Sequence, residues 1–445
     1  MDNAMSINKG IAWREFAPAL VLVSNSLVWY ALAYSMFNSL IGELRLGPFL
    51  NNVLFGAYYF AIAVSAILGG WLFPRARKTG LVSWMALGTV MSIVLLTVPT
   101  NSLLMNFLIS VFFGVSIGIG LPSTLAYFAD LTRIEKRGLL GGIAWSAVGF
   151  GILILAVLVI IAGTTLGLEL LAIWRVIGLA FFLLLSKVKQ EFGIVKRFEG
   201  YRQILARRDI ILYLVPWIMF SIVNFAVTPI LTKLFGDFSA FAGFVEFAIT
   251  GVFALVGGIL ADRVGRKRIV ITGFIILGFE NALLSLFYSN PISWYIYVGL
   301  DGAAWGMFAA VFFMTLWGDL SEGFAREKYY VLGGLPYLLA GFIPILINPF
   351  VDSIEPYAAF SLASFFLFVA VLPLVYAPET LPEKTMKDRD LKSYLEKAEK
   401  LVQKEIGKNK KQGMEKTKKE NEEAKEEAQE SPEDEEARKL AEKYY

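Results

Sequence analysis

Twelve long apolar runs dominate this sequence of 445 residues and restrict its fold more than any other feature. A helix that crosses a membrane needs about 20 predominantly apolar residues, and each run is about that long. The composition agrees, because 56% of the residues are hydrophobic and only 18% are charged. The sequence therefore predicts an all-α polytopic membrane protein with twelve transmembrane helices. The predicted spans, numbered 1 to 12, are 16–41, 48–73, 80–99, 103–128, 138–163, 166–187, 210–232, 239–261, 269–289, 292–317, 329–351 and 356–376.

The connections divide these spans into two sets of six. We predict an N-terminal six-helix bundle at 1–187, a cytoplasmic linker at 188–209, a C-terminal six-helix bundle at 210–380 and a charged cytoplasmic tail at 381–445. Within the tail, apolar residues recur at three- and four-residue intervals from Leu391 to Ile406, which predicts an amphipathic helix. The part beyond Gly413 is rich in charge, and we expect it to be loosely ordered.

Lys and Arg collect in the connections on one side of the predicted membrane, whereas the other side carries only Arg45 and Lys233. Cytoplasmic loops of membrane proteins carry an excess of these residues. We therefore expect a multi-pass protein of the cell (plasma) membrane with both termini in the cytoplasm, which an even number of spans allows. The basic positions on the expected cytoplasmic side are Lys9, Arg14, Arg75, Arg77, Lys78, Arg133, Lys136, Arg137, Lys187, Lys189, Lys196, Arg197, Arg202, Arg207, Arg208, Arg263, Arg266, Lys267, Arg268, Arg326 and Lys328.

The sequence contains no Cys and no His, which excludes several classes of function. Disulfides, thiol nucleophiles and His-based zinc sites all need these residues. The connections between spans also contain no phosphate-binding glycine loop, nucleophile elbow or metal-ligand cluster. A net charge of +3 is too small to indicate nucleic-acid binding. We expect no enzyme activity, no cofactor and no bound metal.

An internal repeat relates the two halves at an offset near 188 residues. Pairs of glycines spaced four apart lie on one helix face, where two backbones can approach closely. Two similar halves related by an axis along the membrane normal enclose a cavity that can open to either side by rocking. The matching positions are Gly69-Gly70 with Gly257-Gly258, Gly114 and Gly118 with Gly302 and Gly306, Asp130 and Arg137 with Asp319 and Arg326, and Gly141, Gly142 and Gly149 with Gly333, Gly334 and Gly341.

The segment from Gly257 to Arg268, which reads GGILADRVGRKR, resembles the signature loop of the major facilitator superfamily (MFS). A second set of residues is spaced like a signature of the sugar-porter branch, although that branch usually has Glu at the place of Asp130. This set is Gly114, Gly118, Tyr127, Asp130, Arg137 and the run Pro378-Glu379-Thr380. The resemblance implies the MFS fold of two pseudo-symmetric six-helix bundles. It also implies that spans 1, 4, 7 and 10 line a central cavity with help from spans 2, 5, 8 and 11, while spans 3, 6, 9 and 12 are peripheral.

Three positions depart from the family patterns. The loop after span 2 has Pro74 where an acidic residue belongs, which leaves half of the usual cytoplasmic gate incomplete. The proton-linked drug exporters carry an Arg where this chain has Ser110 and a Gly-Pro pair where it has Trp145-Ser146. These two differences argue against the interpretation of this protein as a drug antiporter.

A gate is expected on the cytoplasmic side. Asp262 is placed to meet the positive end of a neighbouring helix, while the basic residues after it lie at the lipid headgroups. Topology and surface anchoring alone would also explain the basic residues. The resemblance implies a charge latch formed by Asp262, Arg263, Gly265, Arg266, Asp130, Arg137, Asp319 and Arg326.

Four ionisable residues lie at mid-depth in the predicted spans, namely Arg175, Glu246, Glu280 and Asp301. Such a residue costs roughly 3 kcal/mol on membrane-insertion scales, so each is a candidate functional residue. The resemblance places Asp301 and Glu246 nearest the cavity, and we predict that they carry proton coupling, with a structural hydrogen bond as the alternative. Arg175 and Glu280 are expected to be structural.

Polar and aromatic residues at helical spacing on spans 1 and 7 predict the cavity wall. Hydrogen bonds between helices are the alternative explanation for any single one of them. A wall of aromatic rings, amides and acids suits neutral or cationic solutes better than anions, with Arg175 as the one exception. The cavity candidates are Asn25, Tyr30, Tyr34, Asn38, Trp217, Ser221, Asn224, Thr228 and Trp305.

These features together predict a secondary active transporter that moves a small organic solute, sugar-like or another metabolite, by alternating access and with proton coupling. The expected partners are that solute, H+ and the lipid bilayer, and we expect a monomer. Two alternatives remain open. One is a multidrug or metabolite efflux carrier, and the other is a sensor that retains the fold without transport and signals through its tail.

Overall fold

The computed structural model describes residues 13–97, 102–186, 199–321 and 326–383, together with short stretches of the tail that end with 432–444. Every regular element within this part of the chain is a helix. The all-α prediction is therefore confirmed.

The helices follow the predicted spans in order. Spans 1 to 6 correspond to Trp13–Glu43, Pro48–Leu72, Arg77–Val94, Leu103–Gly118 with Leu121–Leu131, and the long helix Arg137–Leu185, which contains spans 5 and 6. A short helix, Tyr201–Leu205, precedes the second half. Spans 7 to 12 correspond to Arg208–Phe235, Phe238–Val264, Arg266–Phe287, Pro291–Phe308 continued by Ala309–Leu316 and Trp317–Leu320, Arg326–Ala340 with Ile343–Ile347, and Pro356–Val369 with Val371–Tyr376.

Eleven described helical segments are long and apolar enough to cross a membrane, and one of them contains two crossings. The helix Arg137–Leu185 has 49 residues, so a straight helix would be more than twice as long as a bilayer core is thick. Its backbone breaks at Gly163, which has φ 77° and ψ −179°. A Cβ on Gly167 would lie 3.0 Å from Val159 Cγ1, eight residues back, so the chain folds back here. Counted this way, the twelve predicted spans are present.

The repeated glycines bring corresponding helices together in each half. A Cβ on Gly118 of span 4 would lie 3.0 Å from the carbonyl carbon of Ile62 in span 2. In the second half, a Cβ on Gly306 of span 10 would lie 2.6 Å from the Ala254 nitrogen in span 8. Both glycines thus allow backbone contact that a larger residue would block.

Spans 4 and 10 are both interrupted shortly after these glycines. Span 4 stops at Gly118 and restarts at Leu121, whereas span 10 passes into a π-helix over Ala309–Leu316. Within the π-helix, the Thr315 hydroxyl donates to the Ala310 carbonyl five residues earlier, at 2.7 Å. Such wide turns are rare and occur frequently at functional sites.

Two crossings join the halves. Span 5 crosses span 8 through glycines, and a Cβ on Gly258 would lie 2.9 Å from the carbonyl carbon of Gly138. Span 2 meets span 11 through side chains, since a Cβ on Gly341 would meet the Tyr59 hydroxyl at 2.6 Å. One crossing is therefore backbone against backbone, and the other is filled by aromatic rings.

Residues up to Pro382 form one compact unit, and Glu383–Tyr445 forms a second. Pro432–Tyr444 is a helix with a Glu435–Lys439 pair at 3.7 Å and Lys443 in its last turn. This differs from the loose order expected beyond Gly413, because charges placed four residues apart and a basic last turn stabilise a helix without any apolar core. Lys9, Lys187, half of the predicted linker (188–198) and Ile406 lie outside the described residues.

Candidate functional site

A cavity of about 630 Å³ lies between the two halves. Its wall includes Tyr34 from the first half and Trp305 from the second. At one end its lining reaches the exposed residues Asn38, Thr232 and Asn348. At the other end its lining stops at residues that are buried, namely Leu125 and Tyr330.

The cavity wall contains most of the side chains that the sequence indicated. The Tyr34 and Tyr59 hydroxyls are hydrogen-bonded at 2.7 Å, and the Thr228 hydroxyl donates to the Asn224 carbonyl at 2.9 Å. The predicted residues that line the cavity are Tyr30, Tyr34, Asn38, Asn224, Thr228, Glu246, Asp301 and Trp305. Their contact with a substrate stays a prediction.

Three predicted cavity residues lie elsewhere. Trp217 is fully buried and its indole N–H donates to the Gly333 carbonyl at 2.6 Å, while the Ser221 hydroxyl donates to the Trp217 carbonyl at 2.8 Å. Asn25 is buried against span 6, where its amide donates to the Trp174 carbonyl at 2.6 Å. Helical spacing identifies a face of a helix and gives no depth along it, so a polar stripe can continue past the end of a cavity.

Sequence reasoning missed an aromatic part of the wall. Trp145 of span 5 packs against Phe313 of span 10, with ring centres 5.4 Å apart, and Phe313 contacts Tyr337 of span 11 at 4.9 Å. Tyr337 also contacts Trp305 at 5.6 Å. The buried indole N–H of Trp145 has no hydrogen-bond partner within the described chain. The available signal was the family arrangement, which places spans 5 and 11 beside the cavity.

Three carboxylates from adjacent helices meet at the wall. Asp301 lies within hydrogen-bonding reach of both Glu246 and Glu280. Glu246 and Asp301 line the cavity, whereas Glu280 is buried behind them and is 1% exposed. Like charges placed close together disfavour full ionisation, so such a cluster favours a proton on one of its carboxyl groups. Glu280 belongs to this cluster although the sequence indicated a separate structural role, and proton coupling stays a prediction.

Arg175 lies away from the cavity. Its guanidinium is buried in the first half between the rings of Trp29 and Trp84, at 4.8 and 5.0 Å from their centres. It donates to the Ser26 hydroxyl at 2.8 Å and to the Asn25 side-chain oxygen at 3.1 Å. Among the described lining residues of the cavity there is no Lys or Arg, so the one exception to its acidic and aromatic character is removed.

An ion-pair cluster closes the buried end of the cavity, which we call the basic end. Asp262 accepts hydrogen bonds from the N–H groups of Gly138 at 2.9 Å and Leu139 at 2.8 Å, at the start of span 5. Arg266 pairs with Asp262 at 3.0 Å and with Asp319 at 3.1 Å, and Arg137 also pairs with Asp319. Asp262 thus meets the positive end of a helix, while its role as a latch stays a prediction.

A second cluster forms around Asp130, which pairs with Arg77 and Arg326. Arg77 also donates from Nε to Glu327 Oε1 at 2.7 Å. Two of these contacts, Arg326 with Asp130 and Arg77 with Glu327, join the first half of the chain to the second. The gate prediction included neither Arg77 nor Glu327.

The remaining predicted gate residues lie beside these clusters. Arg263 is exposed, and Gly265, with φ 107°, ends span 8. Glu379 of the Pro378-Glu379-Thr380 run accepts from the backbone N–H groups of Arg266 at 2.8 Å and Lys267 at 3.2 Å. This carboxylate therefore caps the start of span 9.

The end of the linker binds the start of span 11. Arg207 donates to the Tyr329 hydroxyl at 2.8 Å, and the Tyr329 hydroxyl donates to Glu199 Oε2 at 3.0 Å. Lys328 donates to the Glu199 carbonyl at 2.5 Å. The hydrogen bonds that Arg207 donates to the Asp209 carboxylate raise the pKa of Arg207, so its guanidinium stays charged.

Comparisons with known proteins agree with this architecture. No family model matches the chain. Over 154 residues it is 29% identical to an MFS-type transporter, aprT, of Aspergillus flavus, a match that covers 32% of this chain and 30% of that protein's length. The human organic anion transporter MFSD10 (TETRAN) superposes with a TM-score of 0.63 at 14% identity, covering 82% of this chain and 100% of that one. The fucose:proton symporter FucP of E. coli superposes with a TM-score of 0.64 at 12% identity, covering 82% and 98%.

The protein has the major facilitator superfamily fold. The fold prediction is thereby confirmed, and the protein is a multi-pass membrane protein, while the sugar-porter branch stays a prediction. In this major facilitator fold the described conformer has its basic end closed by ion pairs between the halves. Its cavity reaches exposed residues at the opposite end.

Proposed function

We propose that this protein is a secondary active transporter that moves a small organic solute by alternating access, with proton coupling through Asp301 and Glu246. The observation that carries the proposal is a cavity between two similar halves, sealed at one end by ion pairs and containing a buried carboxyl cluster in its wall. A rocking motion that breaks the ion pairs would expose the cavity at the basic end. We further propose that the basic end faces the cytoplasm, with both termini, and that the protein acts as a monomer in the plasma membrane.

The chemistry of the wall favours a neutral or cationic solute with an apolar part. Glu246 and Asp301 supply negative charge, and the rings of Trp145, Trp305 and Tyr337 can hold a cation by cation–π contact. An anion would meet two carboxylates and no basic side chain among the described lining residues. The volume of about 630 Å³ suits a solute of ordinary metabolite size.

The first test is uptake into proteoliposomes of three tracer panels, namely neutral sugars and polyols, organic amines, and carboxylates. Each panel is measured with an inward proton gradient, with an outward gradient, and with a protonophore. We expect a gradient to drive accumulation of an amine or a neutral solute, and the protonophore to abolish it. Dependence on the inward gradient would support symport, and dependence on the outward gradient would support exchange and export. Accumulation of carboxylates alone would overturn the proposed substrate class, and accumulation of no panel under either gradient would overturn transport.

The latch role of Asp262 gives a second test. We expect Asp262→Asn to lower the transport rate roughly tenfold, on the scale of couplings that shift a conformational equilibrium. The amide keeps the size of the side chain and one acceptor oxygen, but it removes the negative charge between Arg266 and the start of span 5. Initial uptake rates and the melting temperature in detergent are measured together. Asp237→Asn, an exposed change at the other end of span 8, is the control and should leave the rate unchanged. A normal rate in Asp262→Asn would exclude the latch.

A further inference from the structure

We propose that Glu327 is the acidic residue that completes the first-half gate, in place of the carboxylate that is missing at Pro74. The inference rests on the proposed alternating access and adds a positioning residue to it. Glu327 holds Arg77, and with it the start of span 3, against the start of span 11 while the basic end is closed.

The two ion-pair clusters are built from corresponding residues. Arg77 and Arg266, Asp130 and Asp319, and Arg137 and Arg326 are each separated by 189 residues. In the second-half cluster, Arg266 contacts two carboxylates, Asp262 and Asp319.

The first-half cluster needs an equivalent second carboxylate. Arg77 contacts Asp130, the counterpart of Asp319. The counterpart of Asp262 is Pro74, at the offset of 188 that aligns Gly69-Gly70 with Gly257-Gly258, and Pro74 has no charge and no side-chain acceptor. The Arg77 side chain is only 10% exposed, so with one carboxylate fewer than its counterpart its charge would be poorly compensated.

Glu327 supplies that carboxylate from the other side of the crossing. It is 0% exposed, and Arg77 contacts it through both Nε and Nη2. Glu327 itself is 189 residues from Gly138, the residue whose N–H is capped by Asp262. In the second-half cluster, the carboxylate of Asp262 in span 8 crosses to the start of span 5. In the first-half cluster, the carboxylate of Glu327 lies at the start of span 11, and Arg77 of span 3 crosses to it.

The position of this pair makes it part of the transport cycle. A pair within one half would move as a unit, whereas Arg77 and Glu327 belong to opposite halves and must separate for the basic end to open. The neighbouring residues Arg326, Lys328 and Tyr329 are also bonded, to Asp130, Glu199 and Arg207 respectively. The start of span 11 is thus where the first half, the linker and the second half are tied together.

The test measures opening directly and needs no substrate. Because the chain has no Cys, spin labels can be placed on Ala76→Cys and Arg268→Cys, two exposed positions at the basic end in opposite halves. Electron–electron distance measurements in nanodiscs then report the closed and open populations. We expect Glu327→Gln to raise the population with the longer distance roughly tenfold over the parent. Glu15→Gln is the matched control, since it makes the same change at an exposed carboxylate at the same end, in the first turn of span 1.

The decisive comparison is a double variant that restores the missing carboxylate in the first half. In the double variant Pro74→Asp with Glu327→Gln, a carboxylate returns at the position that corresponds to Asp262, and we expect the closed population to recover. If Glu327→Gln does not fold, Glu327→Asp, which shortens the reach to Arg77 and keeps the charge, should show a smaller shift in the same direction. A distance distribution in either variant that matches the parent and Glu15→Gln would overturn the role of Glu327. The distances are measured without a solute. Absence of transport would therefore overturn the proposed function without changing what the distances show about Glu327.

Discussion

Asp301→Asn should abolish accumulation driven by a proton gradient, with a loss of roughly a hundredfold, the scale on which a positioned proton-transferring group acts. The amide has nearly the size of the carboxyl group, so the packing of span 10 against spans 8 and 9 is retained. It cannot take up or release a proton, which is the role we propose for Asp301 in its cluster with Glu246 and Glu280. The measurement is the accumulation of tracer in proteoliposomes when a proton gradient drives it.

Exchange of labelled for unlabelled solute at equal pH separates coupling from movement. If Asp301 carries the proton, exchange continues in Asp301→Asn while accumulation stops. The matched control is Asp352→Asn in the same half, an exposed carboxylate that pairs with Lys233 at 2.8 Å. It should leave both measurements unchanged. Full gradient-driven accumulation in Asp301→Asn would exclude this residue as the proton carrier.

Gly258→Val should have the other large effect, on stability and on transport, because the added side chain forces spans 5 and 8 apart where they cross. A Cβ at this position would lie 2.9 Å from the carbonyl carbon of Gly138, a backbone atom that cannot rotate away. Overpacking of this kind typically costs 1–3 kcal/mol, so we expect a melting temperature lower by about 5 °C and transport reduced at least about tenfold. Melting in detergent and initial uptake rates are the two measurements.

The control for this change is Gly299→Val in span 10, where a Cβ would have no heavy atom within 4 Å. It introduces the same side chain into a transmembrane helix without a clash. We expect both measurements to stay near the parent values for Gly299→Val. If Gly258→Val and Gly299→Val have the same melting temperature and the same uptake rate, close packing at the glycine crossing is not required for transport.

The number of spans, their order and the repeat follow from the amino-acid sequence alone. These properties depend on local composition, since about 20 apolar residues are needed to cross a bilayer whatever lies beside them. The sequence also indicated that Asp262 faces a helix start. The cost of a charge within a span singled out four residues, and the family resemblance placed Glu246 and Asp301 among them nearest the cavity. Most helix ends differ from the predicted span ends by a few residues, as in Trp13–Glu43 against 16–41. The break between spans 5 and 6, predicted at 163–166, falls at Gly163, whose positive φ interrupts the helix Arg137–Leu185.

Only the tertiary structure decided which charges meet. Glu280 joins Asp301, and Glu327 of the second half holds Arg77 of the first, although 250 residues separate the last two. Helical periodicity gives the face of a helix but neither its depth nor its rotation against a neighbour, and for this reason Trp217 and Ser221 lie beyond the cavity. Contacts between distant residues are set by how the helices pack, and packing depends on all the spans at once. The sequence therefore determined where the helices are, and the tertiary structure determined which of their charges form the gate and the carboxyl cluster.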